Sequence, residues 1–294
     1  MFRGVGTAIV TPFKNGELDL EAYERLVKFQ LEGGVKALVV LGTSGESPTV
    51  EEDERERLLA KTLEVVDGKI PVIAGAGTHS TAKTLKMVKQ AEKLGVDGVL
   101  IVTPYYNRPT QDGLFQHYKY VSERTDLKII VYNVPSRTGV NVNPETVARI
   151  AAELKNVVGV KEANPDIEQI DRVIALAKKE RSDFMVWSGN DDRTFYLLCA
   201  GGDGVVSVVS NVAPKQMSQL CEEFFKGNME GAREIHRKLY PLMKALFVET
   251  NPIPVKAALH IMGYIQNELR LPLVPASEKT MELLKKALKE CGIL

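Results

Sequence analysis

Eight short apolar runs recur along the chain: GTAIV (6–10), ALVVLG (37–42), PVIAGAG (71–77), GVLIVTP (98–104), KIIVYNVP (128–135), VVGVKEA (157–163), FMVWSGN (184–190) and GVVSVVSN (204–211). They are rich in Val and Ile, and continuous rather than alternating. That is how strands buried on both faces read. Between them lie stretches with helical spacing. Residues 19–32 put Leu20, Tyr23, Leu26, Val27 and Leu31 on one face. Residues 51–65 bury only Leu58, Leu59, Leu63 and Val65, and residues 81–94 use Leu85, Val88, Ala91 and Leu94. Thr49 with Glu52 has the spacing of a capping box, and Asn143-Pro144 reads as an N-cap followed by proline at the first helical position. Gly33-Gly34 and Gly95 are stop signals.

Strand and helix in alternation imply a parallel sheet. Eight such units within the first ~225 residues, about 28 residues each, suit a (β/α)8 barrel, here expected over residues 1–225. The rival, an open doubly wound sheet, would carry a glycine fingerprint after its first strand, and TPFKNGELD has none. GAGTHS (75–80) matches a dinucleotide loop only weakly and reads as a tight turn. Beyond residue 225 the pattern becomes helical. Residues 228–248 and 275–290 are periodic, and NPIPVKAALHIMGYI is a loop entering another helix. Residues 226–294 are expected to form a helical region packed on the barrel or on another subunit, since Leu239, Leu242, Met243, Leu246 and Phe247 need a surface to cover them.

Charge narrows the class. The 38 basic and 38 acidic side chains cancel, so no basic excess points to nucleic acid. The apolar runs are strand-sized, too short for a membrane span or signal peptide. Cys199, Cys221 and Cys291 are odd in number and fit no metal spacing, which makes a reducing cytoplasm the default expectation.

In a barrel the chemistry sits at the C-terminal strand ends, and those ends are polar. Strand 1 ends near Thr7 and Thr11. Strand 2 ends in Gly42-Thr43-Ser44-Gly45-Glu46, and strand 4 in Thr103-Pro104-Tyr105-Tyr106-Asn107-Arg108. Strand 5 runs through Tyr132-Asn133 to Ser136-Arg137-Thr138-Gly139, strand 6 ends at Lys161-Glu162, and strand 7 at Ser188-Gly189-Asn190-Asp191. A lysine whose stem lies against apolar walls is disfavoured as an ammonium. As a neutral amine it forms a Schiff base with a carbonyl, and the iminium then serves as electron sink for carbon–carbon chemistry. The plainer alternative is an ion pair with Glu162 or a neighbouring carboxylate. Tyr132 can move protons or simply pack in the core. Arg137 suits a carboxylate substrate or a surface ion pair. Gly45 and Gly189 either let backbone N–H groups approach an anion or serve as turns. His79, His117, His236 and His260 form no metal-ligand spacing, and neither a G-x-S-x-G elbow nor a P-loop is present.

Six strings, GTSGES (42–47), VTPYYNRP (102–109), YNVPSRTG (132–139), VVGVKEA (157–163), SGNDD (188–192) and TNPIPVK (250–256), together resemble the 4-hydroxy-tetrahydrodipicolinate (dihydrodipicolinate) synthase family, within the pyruvate-dependent class I aldolase and N-acetylneuraminate lyase superfamily. The resemblance runs nearly the full chain, in order. It implies a (β/α)8 barrel with a C-terminal helical region that condenses pyruvate with L-aspartate 4-semialdehyde on the diaminopimelate route to lysine. Lys161 would form the Schiff base. Tyr132, Thr43 and Tyr106 would relay protons, Tyr106 reaching into the site of a neighbouring subunit of a homotetramer. Ser44, often threonine in the family, would bind the pyruvate carboxylate. Arg137 would anchor a carboxylate at the entrance, and Gly189 and Val206 would complete the substrate site. Asn190 stands where some members carry aspartate. No metal or organic cofactor is implied, and neither nucleic acid nor membrane.

Regulation is the point of departure. Lysine-inhibited members bind lysine through histidine, asparagine and glutamate side chains, and the matching positions here are Glu52, Arg55, His79 and Lys83. Lys83 opposes an ammonium-bearing ligand, so feedback by lysine is expected to be weak or absent, and inhibition at low lysine concentration in a turnover assay would overturn that. Two rivals remain at this stage. One is a sibling aldolase for N-acetylneuraminate or a 2-keto-3-deoxy sugar acid, against which Arg137 argues. The other is a non-catalytic keto-acid sensor, against which Lys161, Tyr132 and Thr43 argue.

Overall fold

A computed structural model describes residues 1–294. Eight parallel strands close into a barrel: β1 (Gly4–Ala8), β2 (Ala37–Val40), β3 (Val72–Gly75), β4 (Gly98–Val102), β5 (Lys128–Asn133), β6 (Val157–Glu162), β7 (Met185–Ser188) and β8 (Gly204–Ser207). Each strand neighbours the next in sequence, and β8 returns to β1. The expected (β/α)8 barrel is therefore the fold, and the eight apolar runs are its strands. Their residues are buried almost throughout, as continuous Val/Ile runs require when helices cover one face and other strands' side chains the other. GAGTHS leaves β3 and reaches Ser80, the N-cap of helix Thr81–Leu94, so it is a βα turn.

One expected helix start differs. The capping box belongs to Glu51 and Glu54, and helix Glu52–Val66 follows it. Thr49 instead ends a 3₁₀ turn, Ser47–Thr49, with Pro48 near its start, and donates its hydroxyl to the Glu46 carbonyl. Asn143 does cap helix Pro144–Glu153, through backbone conformation and not through its side chain. Lys14-Asn15-Gly16-Glu17 is a tight antiparallel hairpin. Asn15 and Gly16 both have positive φ, 55° and 83°, the conformation that Asn-Gly turns favour.

The chain forms two compact units. One comprises residues 1–3 and 71–206, the other residues 4–70 and 207–294. In the first, Phe2 stacks on Trp187, whose indole N–H donates to the Phe2 carbonyl at 3.1 Å. In the second, helices Met229–Ala245 and Ile253–Ile261 both pack against helix Glu278–Glu290. The last corresponds to the expected 275–290 segment, and Ile253–Ile261 is the helix entered through the proline-rich loop. No helix is long and apolar enough to cross a membrane. All three cysteines are free thiols.

Candidate active site

Strands β5 and β6 run in register, so that Tyr132 lies opposite Lys161 and Asn133 opposite Glu162. Successive strand residues point to opposite faces. Lys161 and Tyr132 therefore share one face, and Asn133 and Glu162 the other. Lys161 is 4% exposed, and its Nζ sits 4.1 Å from the centre of the Tyr132 ring. It makes no ion pair with Glu162, whose carboxylate looks the other way. Strand alternation removes the pair with Glu162, and no other carboxylate forms an ion pair with Lys161. Beneath the lysine, Gly159 shares its face of β6. A side chain there would begin 2.3 Å from the Met185 carbonyl oxygen and 2.6 Å from the Trp187 ring, so the glycine makes room for the main chain of β7 and for that indole.

Glu162 anchors a polar network behind the site. Its carboxylate accepts from Asn133 Nδ2 at 2.9 and 3.1 Å, from Gln169 Nε2 at 3.0 Å and from the Asn164 backbone N–H at 2.7 Å. Asn133 Oδ1 accepts from the Val142 N–H, and Asn141 Oδ1 accepts from Asn133, Asn164 and Gln169. The network joins the ends of β5 and β6 to the loop that follows the helical turn Pro135–Thr138, where Arg137 stands exposed. Asn133, Asn141 and Gln169 carry no signal in the sequence, because nothing in their spacing reveals a shared partner.

Burial pushes the Glu162 carboxyl up to about 7, against the N–H donors that favour its charged form. The folded chain then holds a proton that the unfolded chain has released between the ordinary glutamate range and about 7. The stability tied to this proton is present at acid pH and lost as pH rises toward neutrality. Glu162→Gln should remove the dependence. Relative to the unsubstituted chain, its unfolding free energy should rise by a few kcal/mol (order of magnitude) between pH 5 and pH 8. A flat difference across that range in urea melts would show that Glu162 titrates normally.

The glycines do not offer free amides. Gly189 N–H donates to the Glu162 carbonyl at 2.6 Å, and a side chain there would begin 2.6 Å from Ala163 Cβ. Gly45 N–H is likewise used, by the Gly42 carbonyl at 3.1 Å. Both positions need glycine for close approach, and the anion-binding reading of their N–H groups is set aside. Val206 is fully buried on β8. Tyr106 is the opposite: 93% exposed, with φ of +69°, on the loop after β4.

Thr43 and Ser44 occupy the turn after β2, in the other unit. Thr43 is half-buried and accepts the Glu46 N–H on its carbonyl. Ser44 is buried, and its hydroxyl accepts a hydrogen bond from Asn251 Nδ2 at 3.1 Å. A second lysine, Lys256, lies in the same unit with no exposed surface. It donates to Glu46 Oε1 at 2.5 Å and to the Thr11 carbonyl at 2.8 Å. Burial holds its ammonium below the ordinary lysine range, while Glu46 pulls the other way. Glu52 and Lys83 are exposed on their helices, His79 lies edge-on to Tyr105, and Arg55 donates to the Ser47 hydroxyl.

Fold and site together define a (β/α)8 barrel that carries a buried amine, without a carboxylate partner, at the C-terminal end of a strand, where barrel enzymes place their chemistry. Comparison with known proteins carries this further. The chain belongs to the dihydrodipicolinate synthetase family, whose model matches residues 1–291. It is 82% identical over 294 residues, the whole of both chains, to the 4-hydroxy-tetrahydrodipicolinate synthase of Thermotoga neapolitana. It matches the crystal structure of dihydrodipicolinate synthase from Thermotoga maritima with a TM-score of 1.00 at 80% identity, covering all of each chain. A more distant match is the chloride-inhibited dihydrodipicolinate synthase from Acinetobacter baumannii complexed with pyruvate, with a TM-score of 0.96 at 41% identity over 100% of this chain and 99% of that one.

Proposed function

We propose that this chain condenses pyruvate with L-aspartate 4-semialdehyde, giving 4-hydroxy-tetrahydrodipicolinate for the diaminopimelate route to lysine. The observation that carries the proposal is Lys161: buried, without an ion pair, and 4.1 Å from the Tyr132 ring. The full-length likeness to synthases supports the reaction, and the pyruvate complex of the Acinetobacter protein supports the ketone.

Lys161 Nζ adds to the pyruvate ketone carbon. Water leaves, with Tyr132 relaying the proton to the departing oxygen, and an iminium forms. Loss of a methyl proton gives the enamine, whose carbon attacks the aldehyde of the second substrate. That substrate's own amine then adds to the iminium carbon and expels Lys161 as the ring closes. The iminium is the electron sink, so the route requires neither metal nor organic cofactor. Thr43 and Tyr106 complete the proton relay. Ser44 receives the pyruvate carboxylate, Gly189 and Val206 serve substrate binding, and the exposed Arg137 meets the carboxylate of the incoming aldehyde. A hydroxyl as exposed as that of Tyr106 fits service in a neighbouring subunit, within a homotetramer. Three free thiols fit a cytoplasmic enzyme.

Borohydride reduction in the presence of labelled pyruvate tests the reading. Label is expected on the peptide holding Lys161, followed by product formation when L-aspartate 4-semialdehyde replaces borohydride. An unlabelled chain would remove the basis of the proposal.

A further inference from the structure

The turn that carries Thr43 and Ser44 is gripped at three successive residues. Ser44 Oγ accepts from Asn251 Nδ2 at 3.1 Å. The Gly45 carbonyl accepts from Thr11 Oγ1 at 2.8 Å. The Glu46 carboxylate accepts from Lys256 Nζ at 2.5 Å on one oxygen and from the Arg270 backbone N–H at 3.1 Å on the other. Lys256 Nζ also binds the Thr11 carbonyl at 2.8 Å and lies 4.4 Å from the centre of the Phe13 ring. Arg270 covers the same ring at 4.3 Å and grips Glu54 with both terminal nitrogens, at 2.5 and 2.6 Å. Both members of the Lys256–Glu46 pair are essentially without exposed side-chain surface, at 0% and 1%.

A pair buried this deeply is a poor way to gain stability. Taking two charges out of water cancels most of their attraction, and apolar residues of like volume commonly serve as well. What the pair supplies is a fixed place. Glu46 has φ of +52°, a left-handed backbone that a residue with a side chain adopts only under constraint. Its carboxylate, held from two sides, supplies that constraint two residues from Ser44. The Asn251 contact sets direction as well as position. An amide N–H can only donate, so the Ser44 hydroxyl accepts there and keeps its own proton for another acceptor.

We propose that Lys256 and Glu46, with Thr11, are positioning residues that hold the Thr43–Ser44 turn in the geometry that receives the carboxylate of a 2-oxo acid. The inference rests on the activity proposed above. Lys256 is thus a second buried lysine with a task distinct from that of Lys161: it donates to Glu46 and to the Thr11 carbonyl, and forms no bond to substrate.

Paired substitutions separate positioning from stability. Glu46→Gln and Lys256→Met each strand the other group, and each should lower the melting temperature. The double variant Glu46→Gln/Lys256→Met removes both charges and should regain most of that loss. Its pyruvate KM should nevertheless remain raised about tenfold, with kcat within about threefold of the unsubstituted chain, because the turn is displaced while Lys161 is untouched. Borohydride at saturating pyruvate should still label it at Lys161. A double variant that regains both melting temperature and pyruvate KM would show a purely structural pair and overturn the proposal. Thr11→Val keeps shape and deletes only the hydroxyl that holds Gly45. It should raise pyruvate KM about threefold at unchanged kcat, and an unchanged KM overturns the proposal even where the pair variants do not fold. Failure of the unsubstituted chain to take label would instead refute the activity on which the inference rests.

Discussion

Lys161→Met is expected to abolish both turnover and covalent labelling by pyruvate and borohydride while leaving the fold intact. The two effects have one cause. The lysine stem is buried, and its amine has no carboxylate partner. Methionine keeps the volume of the stem and removes the nucleophile. Nothing is left unpaired by the change, and one desolvated polar group is gone, so the melting temperature should stay level or rise by a few degrees. Catalysis has no comparable substitute, and kcat/KM should fall by at least ~10⁴. The control is informative because the chain contains a second buried lysine. Label appearing on Lys256 in the Lys161→Met variant, or unchanged labelling overall, would show that the nucleophile has been misassigned.

Tyr132→Phe is expected to cost about 10²–10⁴ in kcat, the usual worth of a positioned proton donor. The ring would remain opposite Lys161 across the β5–β6 register, so the aromatic wall beside the amine survives and only the hydroxyl is lost. Pyruvate KM should therefore move much less than kcat. Tyr106→Phe should show a loss of similar kind. Its side chain stands 93% exposed on this chain, which gives the relay an intersubunit test. Mixed assemblies of Tyr106→Phe with Lys161→Met chains should regain part of the activity that neither variant has alone, since each supplies the group the other lacks. Mixing without any recovery would place Tyr106 within its own chain's site or outside the reaction.

The barrel was legible because its evidence is local. Eight Val/Ile runs at near-regular spacing mark eight strands, and each strand starts within two residues of the start of its run, even where β1 starts at Gly4 and not at Gly6. Lys161 could be singled out as a charge closing an apolar strand. Its freedom from Glu162 is less apparent in the string, although strand alternation predicts it. The capping residue of helix Glu52–Val66 is not marked in the sequence, because two acidic residues, Glu51 and Glu54, fill the roles usually taken by a hydroxyl and a glutamate. The remaining features join residues that the sequence keeps far apart. Lys256 and Glu46 are separated by 210 positions, and Ser44 and Asn251 by 207. GTSGES and TNPIPVK were both visible as strings, but no periodicity shows that one holds the other.

Gly159 and Trp187 set a limit on how this site can diversify. The Met185 carbonyl and the indole together occupy the space that a side chain at residue 159 would need, two positions below the amine. A larger residue at 159 would collide with main chain as well as with the indole, which no side-chain replacement relieves, and trimming Trp187 alone would leave a void. New substrate preferences are therefore more accessible through the loops at the rim, where Arg137 and Tyr106 are exposed, than through the base of the barrel.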